Sequence, residues 1–578
     1  MEITFIGATR TVTGSCHLVD TPAGKILVDC GVYQGGEELE EKNHEPFPFN
    51  PRDVRYVLLT HAHNDHVGRL PLLYQRGFEG LTFCTPPTAA LARVVLLDSA
   101  HLQAMEVEWQ NRKRQRAGLP PLKPLYSSDD VLACLPKISP VFYHQPLELG
   151  PGVQVVFHDA GHILGSAGIE LRISPAAPAA FKGGTQGPSG PSGDQETTAA
   201  EKEAPAPYII YFTGDLGQRD QPIVRDPEIL PRADVLVLES TYGGRLHEGK
   251  GERLAELARI VNETVRQGGN VVIPAFALER TQEVVYELNL LSEQGSIPRV
   301  PIYVDSPMAV SATDIFRHFP EDFDQETKDL LAKGDDPFDF PGLHYTRTAE
   351  ESKALNQVRG AVIISASGMA DAGRIKHHLK HNLWRPESAV VIVGYQAEGT
   401  LGRRLLDGAR KVSIFGEEIS VHARIYSLQS YSAHADQGDL LAFVEAMPQR
   451  PRQVFLVHGE EKGMQALAGE IQRRLGLPVA LPRFGEKFRV GPAAARTAPA
   501  SETAGPALEE ETVKGRLEDL EREYSRLVRV LKLLTAKPGG AGVPWDRLRQ
   551  LSQEIGRLSG LLEQMAARGE DNLKETAS

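Results

Sequence analysis

His61-Ala62-His63-Asn64-Asp65-His66 is the stretch that decides how the rest of the chain is read. It follows the apolar run of residues 54–59 and precedes Val67-Gly68. On an extended loop, imidazoles at i and i+2 can point to one place, and an Asp-His pair beyond a turn can hold a second ion. Imidazole nitrogen and carboxylate oxygen are both donors that zinc accepts. A solvated polar loop has no need of three histidines in six residues.

Working outward, six short runs of β-branched residues and leucine each end in a residue able to bind metal or move a proton. Residues 25–28 lead to Asp29, 54–59 to His61, 153–157 to His162, 208–212 to Asp215, 235–238 to Glu239 and 454–457 to His458. Singly, a histidine after a strand reads as a surface residue, and the aspartate of Thr213-Gly214-Asp215 as a turn former. Together they predict strands whose C-terminal ends line one rim, where a rigid sheet holds functional loops.

Between residues 241 and 419 the pattern changes. Helices near residues 253–265, 279–291 and 374–379 alternate with apolar strands near 270–273, 300–304, 361–364 and 389–393, which predicts a parallel α/β domain. Strand-type residues bearing His434 and His458 follow it, so this domain is inserted into the first rather than appended. The expected division is 1–240 and 421–490 for the first domain and 241–420 for the insert.

Residues 174–207, rich in Ala, Pro, Gly, Ser and Thr, read as a disordered loop, and 491–506 as a linker. In 507–578, Val513, Leu517, Leu520, Tyr524, Leu527, Leu531 and Leu534 repeat at spacings of three and four. A similar stripe runs from Leu548 to Met565 after the Lys537-Pro538-Gly539-Gly540 break. A helical hairpin is expected there, with a homodimer or a protein partner as the alternative uses of the stripes.

The chain has 578 residues, and Lys+Arg 63 against Asp+Glu 76 gives a net charge of −13. That excludes the overall basic footprint of a non-specific nucleic-acid binder, so a polyanionic substrate must meet a local positive site. No apolar run approaches the roughly 18 residues needed to cross a bilayer, and no basic leader precedes the first strand. No membrane association and a cytoplasmic location are expected. Cys16, Cys30, Cys84 and Cys134 show no C-x-x-C spacing and read as buried thiols.

These residues resemble the metallo-β-lactamase fold and, within it, the β-CASP nucleases. The His61–His66 segment carries the superfamily signature. Glu239-Ser240-Thr241-Tyr242-Gly243, Ser432-Ala433-His434-Ala435-Asp436 and Val457-His458-Gly459-Glu460 look like motifs A, B and C of the subfamily, in order. Pro274-Ala275-Phe276-Ala277, Asp305-Ser306-Pro307-Met308 and Ser365-Ala366-Ser367-Gly368-Met369 fit its inserted domain. The similarity spans roughly residues 1–490 and is strongest to the branch of the pre-mRNA 3′-end cleavage nuclease and its prokaryotic relatives.

The resemblance implies an α/β protein: an αββα sandwich with an inserted parallel α/β β-CASP domain. It implies two Zn2+ ions per chain, one on His61, His63 and His162, the other on Asp65, His66 and His458, with Asp215 bridging. Asp29 is expected to accept a ligand imidazole's N–H and fix its tautomer. Asp65, His434 and Glu239 form the expected catalytic set, with His434 as general acid and Glu239 keeping it oriented and protonated. Ser365, Ser367, Gly368, Met369, Arg374 and Arg280 are the expected phosphate or RNA contacts.

The implied activity is that of a zinc-dependent ribonuclease cutting single-stranded RNA, internally or from a 5′ end, in RNA processing or decay. A small-molecule hydrolase is the alternative, since the fold hosts many chemistries. A large domain over the cleft and the Glu239–His434 pair argue against it. A DNA nuclease is disfavoured because His458 stands where DNA-acting members of the family generally carry valine.

Overall fold

A computed structural model describes residues 1–174, 206–247, 252–394, 396, 399–428 and 431–491. The loop expected at 174–207 lies almost wholly outside the described residues, as do the 491–506 linker beyond Gly491 and the 507–578 hairpin.

Two seven-stranded sheets face each other. The first has the order Lys487–Arg489, Glu2–Phe5, His17–Thr21, Gly24–Val28, Val54–Leu58, Leu81–Cys84 and Ile138–Pro140. The second has the order Val479–Ala480, Gln453–Val457, Val235–Glu239, Tyr208–Phe212, Ala167–Ile173, Val153–Asp159 and Leu147–Gly150. Side chains alternate between the faces of a strand. In Tyr208–Phe212 all five residues are buried. Ile210 and Phe212 enter the core between the sheets with Phe5, Val155, Phe157 and Phe455. Ile209 and Tyr211 turn outward, under apolar residues of the helices Gln437–Glu445 and Glu461–Leu475. Leu27 and Val57 of the first sheet, and Leu59 just beyond it, pack in the same way with residues of Leu70–Gln75 and Pro86–Arg116. The result is an αββα sandwich.

The insert leaves the second sheet after Val235–Glu239 and returns as Gln453–Val457, which pairs with that strand in parallel, Glu239 opposite Val457. Its own sheet is parallel throughout, in the order Leu343–Tyr345, Ile302–Val304, Val362–Ser365, Val271–Pro274, Ala389–Ile392 and Arg424–Ser427. The helices Arg253–Arg266, Arg280–Glu293 and Pro307–Phe316 supply one apolar layer, and Ile375–Asn382 and Leu401–Leu406 another.

The inserted sheet runs past residue 420, where the sequence pattern had suggested its end. Arg424–Ser427 adds to the edge of that sheet, and its half-exposed residues lack the apolar run that marks the central strands.

Candidate metal centre

The loops after parallel-running strands bring the predicted donors to one rim. Three nitrogens form a tight group: His61 Nε2 is 3.0 Å from His63 Nδ1, and His162 Nε2 is 3.2 Å from the same atom. Asp215 Oδ2 stands 3.5 Å from His61 Nε2 and 3.6 Å from His162 Nε2. On its other side the same oxygen is 3.3 Å from His66 Nε2. Asp65, His66 and His458 make a second group, with His458 Nε2 3.4 Å from Asp65 Oδ2 and His458 Nδ1 3.7 Å from Asp215 Oδ1. Asp215 thus lies between the two groups.

Neighbouring groups fix the imidazole tautomers. Asp29 Oδ2 accepts the Nδ1–H of His66 at 2.7 Å, while Asp29 also receives Ser15 Oγ–H at 3.0 Å and the backbone N–H of Thr60 at 2.8 Å. Thr60 Oγ1 donates to Asp29 and lies 3.1 Å from His61 Nδ1. Thr241 Oγ1 lies 3.0 Å from His458 Nδ1 and donates to the His458 carbonyl at 3.1 Å. Each of these contacts leaves the other ring nitrogen free to face the centre, which is how imidazole ligands are oriented in metal sites. His66 Nε2, His458 Nε2 and Asp215 Oδ1 are buried with no hydrogen-bond partner.

The electrostatics separate the two groups of imidazoles: burial lowers His61, His63 and His162, whereas at His66 and His458 burial is outweighed by the Asp215 carboxylate and its acidic neighbours, which raise the imidazole. Burial, aided by the charge of His66, holds the His61 imidazole well below the usual histidine range, and burial takes His63 down to about 4. Burial opposes ionisation of Asp215, but His458, His66 and His61 outweigh it and hold its carboxyl well below the usual range. The neutral imidazoles of His61, His63 and His162 around the Asp215 carboxylate, at spacings of 3.0–3.6 Å, suit a cation with ligand bonds of about 2.0–2.1 Å. Orphaned buried acceptors cost free energy unless something positive meets them. The donor set fits a metal ion.

His434 reaches this rim because its segment pairs with the loop of Asp215. Ala435 N–H donates to Leu216 O at 2.7 Å, and Gln218 N–H to Ala433 O at 3.1 Å. His434 Nδ1 faces Glu239 Oε1 at 3.1 Å and Asp215 Oδ2 at 4.0 Å. Its side chain keeps 21 % of its surface exposed, the Glu239 side chain 1 %.

The expected phosphate contacts divide. Ser365 is buried and gives its hydroxyl to Asp305 O at 2.7 Å. Arg280 is buried and paired with Glu283. The Arg374 guanidinium is turned to Asp305 Oδ1 at 2.7 Å, and His378 and Ser352 donate to the other oxygen, Oδ2. All three are engaged within the inserted domain, Arg280 and Arg374 by buried carboxylates and Ser365 by a backbone carbonyl, partners that the sequence does not show. Gly368 is buried and its carbonyl receives Gln396 Nε2. Ser367 and Met369 remain half-buried.

Several site residues were passed over in the sequence. Thr60 adjoins the histidine segment and Thr241 sits inside a quoted motif, yet neither residue type signals a role by itself. Gly31 is the third: a Cβ there would lie 1.5 Å from Asp65 O and 2.6 Å from His66 N.

Three family models match the chain: a metallo-β-lactamase superfamily model at residues 9–81, a Beta-Casp domain at 281–405, and a Zn-dependent metallo-hydrolase RNA specificity domain at 418–482. Ribonuclease TTHA0252 of Thermus thermophilus is 37 % identical over 487 residues, 84 % of this chain and 99 % of that protein. Transcription termination factor FttA of Methanosarcina mazei is 31 % identical over 489 residues, 82 % of this chain and 69 % of that protein. FttA of Methanocaldococcus jannaschii is 29 % identical over 501 residues, covering 85 % and 72 %. With the insert between neighbouring strands and the metal-type donors at their ends, these matches place the chain: it belongs to the β-CASP family of metallo-β-lactamase-fold nucleases and is a metal-dependent hydrolase.

Proposed function

We propose that this protein is a zinc-dependent ribonuclease that hydrolyses phosphodiester bonds of single-stranded RNA, with two zinc ions per chain, in RNA processing or decay. The observation that carries the reading is the meeting of both donor groups at Asp215, beside the His434–Glu239 pair. His61, His63 and His162 would hold one ion and Asp65, His66 and His458 the other, with Asp215 shared. Ions bound there would supply a lowered pKa for water and positive charge toward a scissile phosphate.

The chain's own residues supply the rest. Burial works against a charged His434, but the Glu239 carboxylate outweighs it and raises the imidazole to about 9, so it is protonated at neutral pH. With Nδ1–H held by Glu239, the Nε2–H is the proton available to the departing ribose oxygen. A general acid of this kind contributes about 10²–10⁴-fold. Glu239 accepts Leu216 N–H at 2.8 Å and Thr241 N–H at 3.0 Å, so the carboxylate that orients His434 is itself fixed. Asp29 and Thr60 keep the lone pairs of His66 and His61 aimed inward. RNA as substrate is supported by the RNA specificity model, which spans His434 and His458, and by the name of the Thermus thermophilus relative. Ser367 and Met369 are the residues of the 365–369 turn left to approach the substrate backbone.

The test uses one internally and one 5′-end-labelled single-stranded RNA, and DNA of the same sequence, with and without a chelator. Chelator-sensitive cutting of RNA alone is the expected result, and the product ladder separates internal cuts from 5′ trimming. Absence of RNA cleavage by protein loaded with two metal ions would overturn the reading in favour of a small-molecule hydrolase.

A further inference from the structure

A second cluster of metal-type side chains lies outside the buried centre. Val153, Val155 and Phe157 face the core between the sheets, so His158 on the same strand points to the opposite face. Its Nε2 is 2.8 Å from Glu170 Oε2, and its Nδ1 is 3.3 Å from Glu228 Oε2. A neutral imidazole has one N–H. Glu170 is buried and held by two hydrogen bonds from Arg172, each 2.8 Å, which fixes its oxygens and makes it the acceptor of the Nε2–H. His158 Nδ1 and Glu228 Oε2 then face each other as two acceptors, and a positive species must lie between them.

A proton can do this, but a third donor converges on the same spot. His144 Nε2 lies 2.7 and 2.8 Å from the two oxygens of Glu228, and one donor atom from each of His144, His158 and Glu228 falls within 4.8 Å of the others. Two imidazoles, one carboxylate and an outer carboxylate on one imidazole are the parts of a zinc-type site. The side chains of His144, Glu228 and His158 are 58 %, 33 % and 13 % exposed, which gives an ion a route in and leaves a coordination position for water.

We propose that His144, His158 and Glu228 hold an additional divalent transition-metal ion of the zinc class, with Glu170 fixing the tautomer of His158. The ion ties three segments together next to the buried centre. His144 N–H donates to Phe157 O at 2.9 Å, and Glu228 N–H to Asp159 O at 2.9 Å. Asp159 in turn accepts Gly161 N–H at 3.0 Å, immediately before His162. From the Glu228 segment, Arg225 donates to Phe323 O of the inserted domain at 3.3 Å. The site therefore braces the His162 loop and the contact beneath the insert. It contributes to stability and not to the chemical step.

The full chain, His144→Ala and Glu228→Gln are each equilibrated with buffered Zn2+, freed of excess, and their zinc counted by mass spectrometry. Each variant is expected to carry one ion per chain fewer than wild type, to keep its RNA cleavage rate within about twofold, and to show a smaller zinc-induced rise in Tm. Zinc content equal to wild type in either variant would overturn the proposal and leave a proton between the groups. The comparison is independent of the buried centre: His63→Ala is expected to lose ions there and to retain this one.

Discussion

His434 Nδ1 stands 3.1 Å from Glu239 Oε1 although 195 positions separate the two residues. Their meeting has a simple cause. The insert joins two neighbouring strands of one sheet, so the chain leaves at Glu239 and returns beside it. The returning segment carries His434 past Leu216 and Gln218, and the carboxylate, already fixed by two backbone N–H groups, is left to orient the imidazole.

That geometry separates binding from proton transfer. His434→Ala is expected to retain zinc and lose about 10²–10⁴-fold in cleavage rate, whereas His63→Ala loses cleavage together with zinc of the buried centre. Zinc content and rate are measured on the same samples. Equal zinc loss in the two variants would refute the separate roles.

Glu239→Gln tests the sign of the electrostatics. With His434 as the proposed general acid, activity is expected to belong to its protonated form, which prevails below its pKa and is lost above it. Burial lowers that pKa and the Glu239 charge more than restores it, to about 9. Without the charge, the alkaline limb of the kcat/KM profile is expected to move to lower pH, with zinc content unchanged. A limb that stays in place would remove Glu239 from the mechanism.

Asp29→Asn tests the carboxylate behind His66. Asp29 is 1 % exposed and collects N–H and O–H groups from Thr60, Ser15 and His66. An amide reproduces the shape but accepts on one side only. Zinc affinity is expected to fall about 10- to 100-fold. A competition titration against a chelator reads this, with circular dichroism to show that the fold is kept. Unchanged affinity would make Asp29 a turn former only.

Gly31→Ala asks whether the ligand loop tolerates displacement. The added methyl would sit 1.5 Å from Asp65 O, so the 65–66 backbone must shift. Reduced zinc content together with a lower Tm is expected. Zinc content and Tm like those of wild type would show that this loop moves freely.

Much of the fold was legible because its signals are local. Apolar runs such as 208–212 and 235–238 are strands because β-branched residues fill both faces of a covered sheet, and the strand ends fall within a residue of the pattern. The His61–His66 segment announced a metal site because its donors are adjacent. The edge strand Arg424–Ser427 leaves no such signal, because it is only half covered and carries no apolar run.

By itself the sequence determined which residues could bind metal, which runs were strands, and that one domain interrupts another, since these depend on residue type and near-neighbour spacing. Tertiary structure alone decided the pairings. The parallel register of Val235–Glu239 with Gln453–Val457 sets His458 beside Thr241, and buried Asp305 engages Arg374. Such partners lie tens to hundreds of residues apart, and only packing of the sheets brings opposite charges within reach of one another.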